Sequence, residues 1–136
     1  MAVFAKSKSD KYFTPPEIYD ELNDEFNFNY DPCPRDWKEG DTDGLTTEWG
    51  SKSFVNPPYS CVAKWIQKSY EEAKEGKLVV MLINVVTDTI AFHKYIYHHA
   101  EIRFVKGRIK FINPRNPEKR GSNSKGSMIV IFPIGT

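Results

Sequence analysis

The sequence predicts an α/β domain: a three-layer sheet with an antiparallel C-terminal edge. Three observations carry that reading. Segments with apolar residues at helical spacing alternate with short apolar strands. The run 78–83 is apolar throughout, as befits a strand buried on both faces. The last strands follow one another without a helical crossover, which makes them antiparallel. At 136 residues the chain is read as one domain, 1–136, with a single modest core.

The elements follow in order. Residues 1–10 are polar and expected to be flexible. Thr14-Pro15-Pro16-Glu17 reads as a helix start, with Thr14 as N-cap, proline at the first helical position and Glu17 closing a capping box. Ile18, Tyr19, Leu22 and Phe26 mark the inner face of that helix. Phe28 and Tyr30 alternate with Asn27 and Asn29, predicting a short strand that ends at Asp31. Residues 32–50, rich in Asp, Gly and Thr, form a long loop, and such loops in small domains are usually functional. Strand 53–56 leads into a helix over 60–75, capped by Ser60, with Val62, Trp65, Ile66, Ser69 and Tyr70 at helical spacing and Gly76 as its stop. After strand 78–83, Thr87-Asp88 caps a third helix to about residue 98. Stretches 101–105 and 108–112 are strand-like around Lys106-Gly107, residues 113–127 form a second loop, and 128–134 is a last apolar strand.

Composition sets bounds on function. The absence of an apolar run of membrane length and of a signal peptide predicts a cytoplasmic protein with no membrane partner. A net charge of +1 does not by itself announce a nucleic-acid partner. Cys33 and Cys61 are isolated and read as reduced thiols, and no Cys/His cluster has zinc spacing, so no metal is expected. His93, His98 and His99 have no acidic residue spaced to orient them.

The tetrapeptide Asn56-Pro57-Pro58-Tyr59, at the end of strand 53–56, is the most telling motif. It suits one chemical problem: making a conjugated amino group attack a methyl sulfonium. The lone pair of such a nitrogen is delocalised, so it is a poor nucleophile. The Asn56 side-chain oxygen and a backbone carbonyl can each accept one of its N–H bonds and draw it toward tetrahedral shape. Pro57 and Pro58 fix φ and remove two donors, leaving the Pro57 carbonyl rigid. Tyr59 offers a ring face to an unstacked base. A strand end before a helix start is also where open α/β sheets bind ligands.

Thr14-Pro15, Asp31-Pro32-Cys33 and Asn56-Pro57-Pro58-Tyr59 occur in a fixed order, and with the TPPEIYDEL opening, FVNPPYS, the TDT…FH segment and GRIKF they cover nearly the whole chain. In this the chain resembles the small phage-type, Dam-like DNA N6-adenine methyltransferases. The resemblance implies a minimal Rossmann-like fold that binds S-adenosylmethionine at the strand ends. It also implies double-stranded DNA as partner and a phage or prophage origin in a bacterial cytoplasm. Thr14 and Pro15 then look like the contact to the methionine end of the cofactor, and Asp31 and Pro32 like its Asp-Pro signature. Asp43 looks like the acceptor for its adenine amino group, and Asn56, Pro57, Pro58 and Tyr59 like the catalytic motif, with Asn56 also against the cofactor. One departure is plain: larger relatives carry a glycine-rich turn after Asp-Pro, where this chain has Cys33-Pro34-Arg35.

Basic residues cluster late. Arg108, Lys110, Arg115, Lys119 and Arg120 make residues 113–127 and the strand before them the candidate DNA contact. Far in sequence from Asp31 and Asn56, that loop is expected to act independently of the cofactor site. Two other readings keep the motif. The acceptor could be cytosine N4, an RNA base or a glutamine amide, or the chain could bind nucleic acid or cofactor without turnover.

Overall fold

The computed structural model of the chain describes residues 12–113, 115–122 and 125–133. The strands are β1 (Lys52–Val55), β2 (Leu78–Asn84), β3 (Glu101–Phe104), β4 (Lys110–Asn113), β5 (Asn116–Ser122) and β6 (Ser127–Phe132). Four of them make the central sheet in the order β1-β2-β6-β3, while β4 and β5 pair apart as a hairpin. β1 and β2 run parallel, joined through a helix, α2 (Val62–Ala73). Tyr30 adds a single parallel bridge to Ser53 beside β1, so the short strand expected before Asp31 is reduced to one residue.

The period-two alternation of the strands sorts the core. Val55, Val79, Met81, Ile83, Met128, Val130 and Phe132 share a cluster with Trp65 and Ile66 of α2 and with Phe92 and Ile96 of a π turn (Phe92–Ile96). Phe54 and Leu82 belong to the other cluster, with Leu22 of α1 (Pro16–Phe26) and Ile109 and Phe111 of the β4 arm. Each face of the sheet is thus covered, one by α2 and the π turn, the other by α1 and the hairpin. An ion pair in which Arg103 donates to both Glu25 oxygens at 2.7 Å ties α1 to β3.

Several expectations are corrected. The antiparallel strand is not an edge. β6 lies between β2 and β3 and is antiparallel to both. It is the more apolar strand and is nearly all buried, whereas β3 carries Glu101, Arg103 and a 65% exposed Phe104, which suit an edge. Stretches 101–105 and 108–112 therefore do not pair with each other. Residues 113–127 are not one loop either, because Asn116–Ser122 form β5 on the edge that β4 leaves open. The polar composition of β5 hid this, since a solvated hairpin needs little β-propensity once a partner strand is in place.

The helix starts also differ. Pro15 sits at the N-cap of α1 with no side-chain cap, its carbonyl accepting from Ile18 and Tyr19. A residue before proline avoids helical angles, so Pro15 stays extended and Thr14 lies too far back to cap. α2 begins after a 3₁₀ turn (Tyr59–Cys61) that contains Ser60, and its cap position, Cys61, makes no side-chain cap bond. The third helix shrinks to the π turn, and it is Thr89, rather than Thr87-Asp88, whose hydroxyl accepts from the Phe92 N–H. The expected flexible stretch 1–10 lies outside the described residues.

Candidate active site

Asn56 follows the last residue of β1 and is 6% exposed. Its Nδ2 donates to the Tyr12 carbonyl at 2.8 Å and to the Thr14 hydroxyl at 3.0 Å. A backbone carbonyl can only accept, so this contact fixes which end of the amide is nitrogen and which way Oδ1 points. Thr14, read as a helix cap, thus orients the Asn56 amide instead. The N-terminal segment is itself held, since Phe13 and Ile112 exchange both backbone hydrogen bonds at 3.0 Å.

Two concavities flank the motif. The first, about 290 Å³, is lined by Thr14, Asp31 and Asn56 together with Phe13, Pro16, Tyr19, Asp20, Arg35 and Phe54. Its charge is divided. Burial, then the charges of Asp31 and Asp20, push the Tyr19 phenol above its ordinary value. Arg35 lies over the Phe13 ring at 4.3 Å. The second concavity, about 190 Å³, is lined by Pro57 and Tyr59 with Val62, Ile83, Asn84, Val86 and Lys125. Pro58 is buried at the cap of the 3₁₀ turn, extended at φ −62° and ψ 146°, and so sets the approach to Tyr59.

The loop 32–50 is folded back on its own start. A methyl built on Gly44 would land on the Pro32 carbonyl, so only glycine lets the Thr42-Asp43-Gly44-Leu45 turn rest on Asp31-Pro32. Asp43 builds that turn, its Oδ1 accepting from the Leu45 N–H at 3.0 Å, and it is not among the residues lining the cavity. Asp31 Oδ1 likewise accepts from the Cys33 N–H at 2.9 Å, yet Asp31 does reach the cavity. The loop is anchored by Trp49, whose Nε1 donates to the Gly44 carbonyl at 2.7 Å and whose backbone N–H donates to Glu72 at 3.0 Å.

The basic residues are distributed unevenly. Arg108, Lys110 and Arg115 are exposed around β4. Arg120, on β5, donates to Glu17 at 2.6 Å, and that hydrogen bond holds the Glu17 carboxyl below the usual carboxylate range. Lys119 is on β5, its side chain outside the description. Through Arg120–Glu17 and Phe13–Ile112 the hairpin touches the segment that carries Thr14, so it is adjacent to the first cavity although remote in sequence.

Sequence reasoning missed Tyr12, Phe13, Arg35, Asn84 and the pocket position of Lys125. Asn84 was legible from the rule that strand ends bind ligands. Only folding brings Arg35 to the cavity. Nothing in the sequence marks Tyr12.

The described residues thus form an α/β sheet with one cavity lined by Asn56 and a second lined by Pro57 and Tyr59, at the end of β1. The family model described as DNA N-6-adenine-methyltransferase (Dam) matches residues 2–134, and the chain belongs to that family. The family's activity is methylation of adenine in DNA. Neither the curated proteins nor the solved structures give a match. Among the described residues no helix is long and apolar enough to cross a membrane.

Proposed function

We propose that the chain methylates N6 of an adenine flipped out of double-stranded DNA, using S-adenosylmethionine, at the Asn56-Pro57-Pro58-Tyr59 motif. The observation that carries this reading is the motif's position: Asn56 lines one cavity and Pro57 and Tyr59 the other, so donor and acceptor would meet across adjacent residues. The fold is then a minimal Rossmann-like one, with both ligands at the carboxyl end of β1.

The first cavity has groups suited to the methyl donor. Asp31 and Asp20 match its cationic groups, Arg35 its carboxylate, and Phe13, Tyr19 and Phe54 its planar ring. The donor, when bound, supplies a methyl on a positively charged sulfur, which leaves as a neutral thioether as the C–N bond forms. The Asn56 side-chain oxygen and the Pro57 carbonyl accept the two N6–H bonds and aim the lone pair. The extra proton on the product nitrogen passes to water. Tyr59 holds the base by its face, and Arg108, Lys110, Arg115 and Arg120, with Lys119 by its place in the sequence, are the groups for phosphates.

Labelled methyl transfer to duplex DNA, RNA and protein, followed by base analysis, tests the reading. Label is expected in N6-methyladenine of DNA. Label in cytosine, RNA or glutamine instead overturns it. Asp31→Ala is expected to weaken S-adenosylmethionine binding by roughly tenfold or more, as loss of a charged hydrogen-bond partner does. An unchanged dissociation constant in calorimetry would show Asp31 to be only a turn former. Changing Arg115, Lys119 and Arg120 together to Ala should weaken DNA binding uniformly across sequences and flatten the salt slope by roughly 0.9 per lost contact. Because Arg120 also holds Glu17, a loss of no more than a few-fold in cofactor affinity is expected with it.

A further inference from the structure

We propose that Tyr12 is the second wall of the slot that receives the flipped adenine, facing Tyr59 across the base. The inference rests on reading Tyr59 as the base platform. The two rings are 11° from parallel with centroids 6.2 Å apart. Among the described residues no other aromatic pair is as nearly parallel; the core pairs are tilted by 23° or more. Stacked layers are spaced by about 3.4 Å, so two rings that hold a base between them sit roughly 7 Å apart. The centroid separation, which the gap between the ring planes cannot exceed, is shorter than this, so the rings part to admit a base.

Both rings are half-buried. Pro57-Pro58 sets the position of Tyr59, and the doubled hydrogen bond between Phe13 and Ile112 sets that of Tyr12. The same residue therefore touches the motif twice, by its carbonyl to Asn56 and by its ring to Tyr59. A flipped base loses the stacking of both its neighbours, and a ring on each side restores both contacts. The amino group at its edge would then lie beside Asn56, the residue that Tyr12 orients.

The test is steady-state methylation of bulk unmethylated duplex DNA by Tyr12→Phe, Tyr12→Leu and Tyr12→Ala, beside S-adenosylmethionine affinity by calorimetry and melting temperature. All three variants keep the backbone carbonyl that meets Asn56. Tyr12→Phe is expected to keep kcat/KM within about threefold, while Tyr12→Leu and Tyr12→Ala lose about tenfold to a hundredfold, with cofactor affinity unchanged. Tyr12→Leu at the level of Tyr12→Phe, in folded protein, overturns the proposal, because bulk without a flat face would then suffice. A parallel loss of cofactor affinity also overturns it, placing Tyr12 in the first cavity. If the unaltered chain transfers no methyl to adenine in DNA, it is the underlying reading that fails, so the two failures are distinguishable.

Discussion

Asn56→Ala is expected to lower turnover by roughly two to three decades, the usual cost of one preorganised hydrogen-bonding group aimed at the reacting centre. The loss should fall on kcat, because the acceptor matters most as N6 leaves planarity. Asn56 also donates to Tyr12 and Thr14, so the substitution frees two acceptors on the N-terminal segment. A few-fold loss of cofactor affinity is therefore expected, with the fold intact. Asn56→Asp separates the two roles: it keeps an acceptor oxygen but has no N–H for the Tyr12 carbonyl. It should be impaired, but less than alanine. Single-turnover methylation with saturating DNA is the measurement, and more than about a tenth of the normal rate in Asn56→Ala would remove Asn56 from the chemistry.

Glu72→Ala is expected to have the largest effect on stability, about 3 kcal/mol. Glu72 is 3% exposed, on the buried side of α2. Its Oε1 accepts from the Trp49 N–H at 3.0 Å and from Lys77 at 2.6 Å, and its Oε2 from Lys68 at 2.8 Å. Removing it takes the carboxylate from Lys68 and from a buried backbone donor, and leaves Lys77 only the more exposed Glu48 and Glu75. A fall in melting temperature of about 10 °C follows for a domain of this size, and a fall under about 2 °C would contradict the assignment. The effect should reach the site, because Trp49 carries the Gly44 turn that rests on Pro32.

The same group gives a pH dependence. Burial pushes the Glu72 carboxyl up, but the hydrogen bonds from Lys68, Lys77 and Trp49 outweigh it and hold it down to about 2, against 4.5 ordinarily. The unfolded chain therefore takes up the proton first. The contribution of Glu72 is complete above about pH 4.5 and is lost as pH falls toward 2. Glu72→Gln should show a shallower acid-side decline in melting temperature than the unaltered chain.

The first cavity and the Tyr59 pocket had very different visibility in the sequence. Thr14, Asp31 and Asn56 share one cavity, and each was recognisable because a short motif surrounds it. Asp43, in an equally suggestive motif, does not line that cavity and accepts from the Leu45 N–H, as an aspartate before glycine readily does. Tyr12, Arg35 and the pocket position of Lys125 left no signal, because a residue that meets its partners only after the chain returns has no local pattern. The hairpin was misread for a related reason: β5 is polar in sequence and becomes a strand only beside β4.

By itself the sequence determined the α/β class, the buried β2 and the motif that stands at the end of β1. These are properties of local periodicity and short-range spacing, which survive in the unfolded chain. The tertiary structure alone decided that β6 lies inside the sheet, that the β4–β5 hairpin grips the N-terminal segment, and that Tyr12 meets both Asn56 and Tyr59. Those outcomes depend on which buried surfaces and open strand edges find one another over long stretches of chain, and no single segment contains that information.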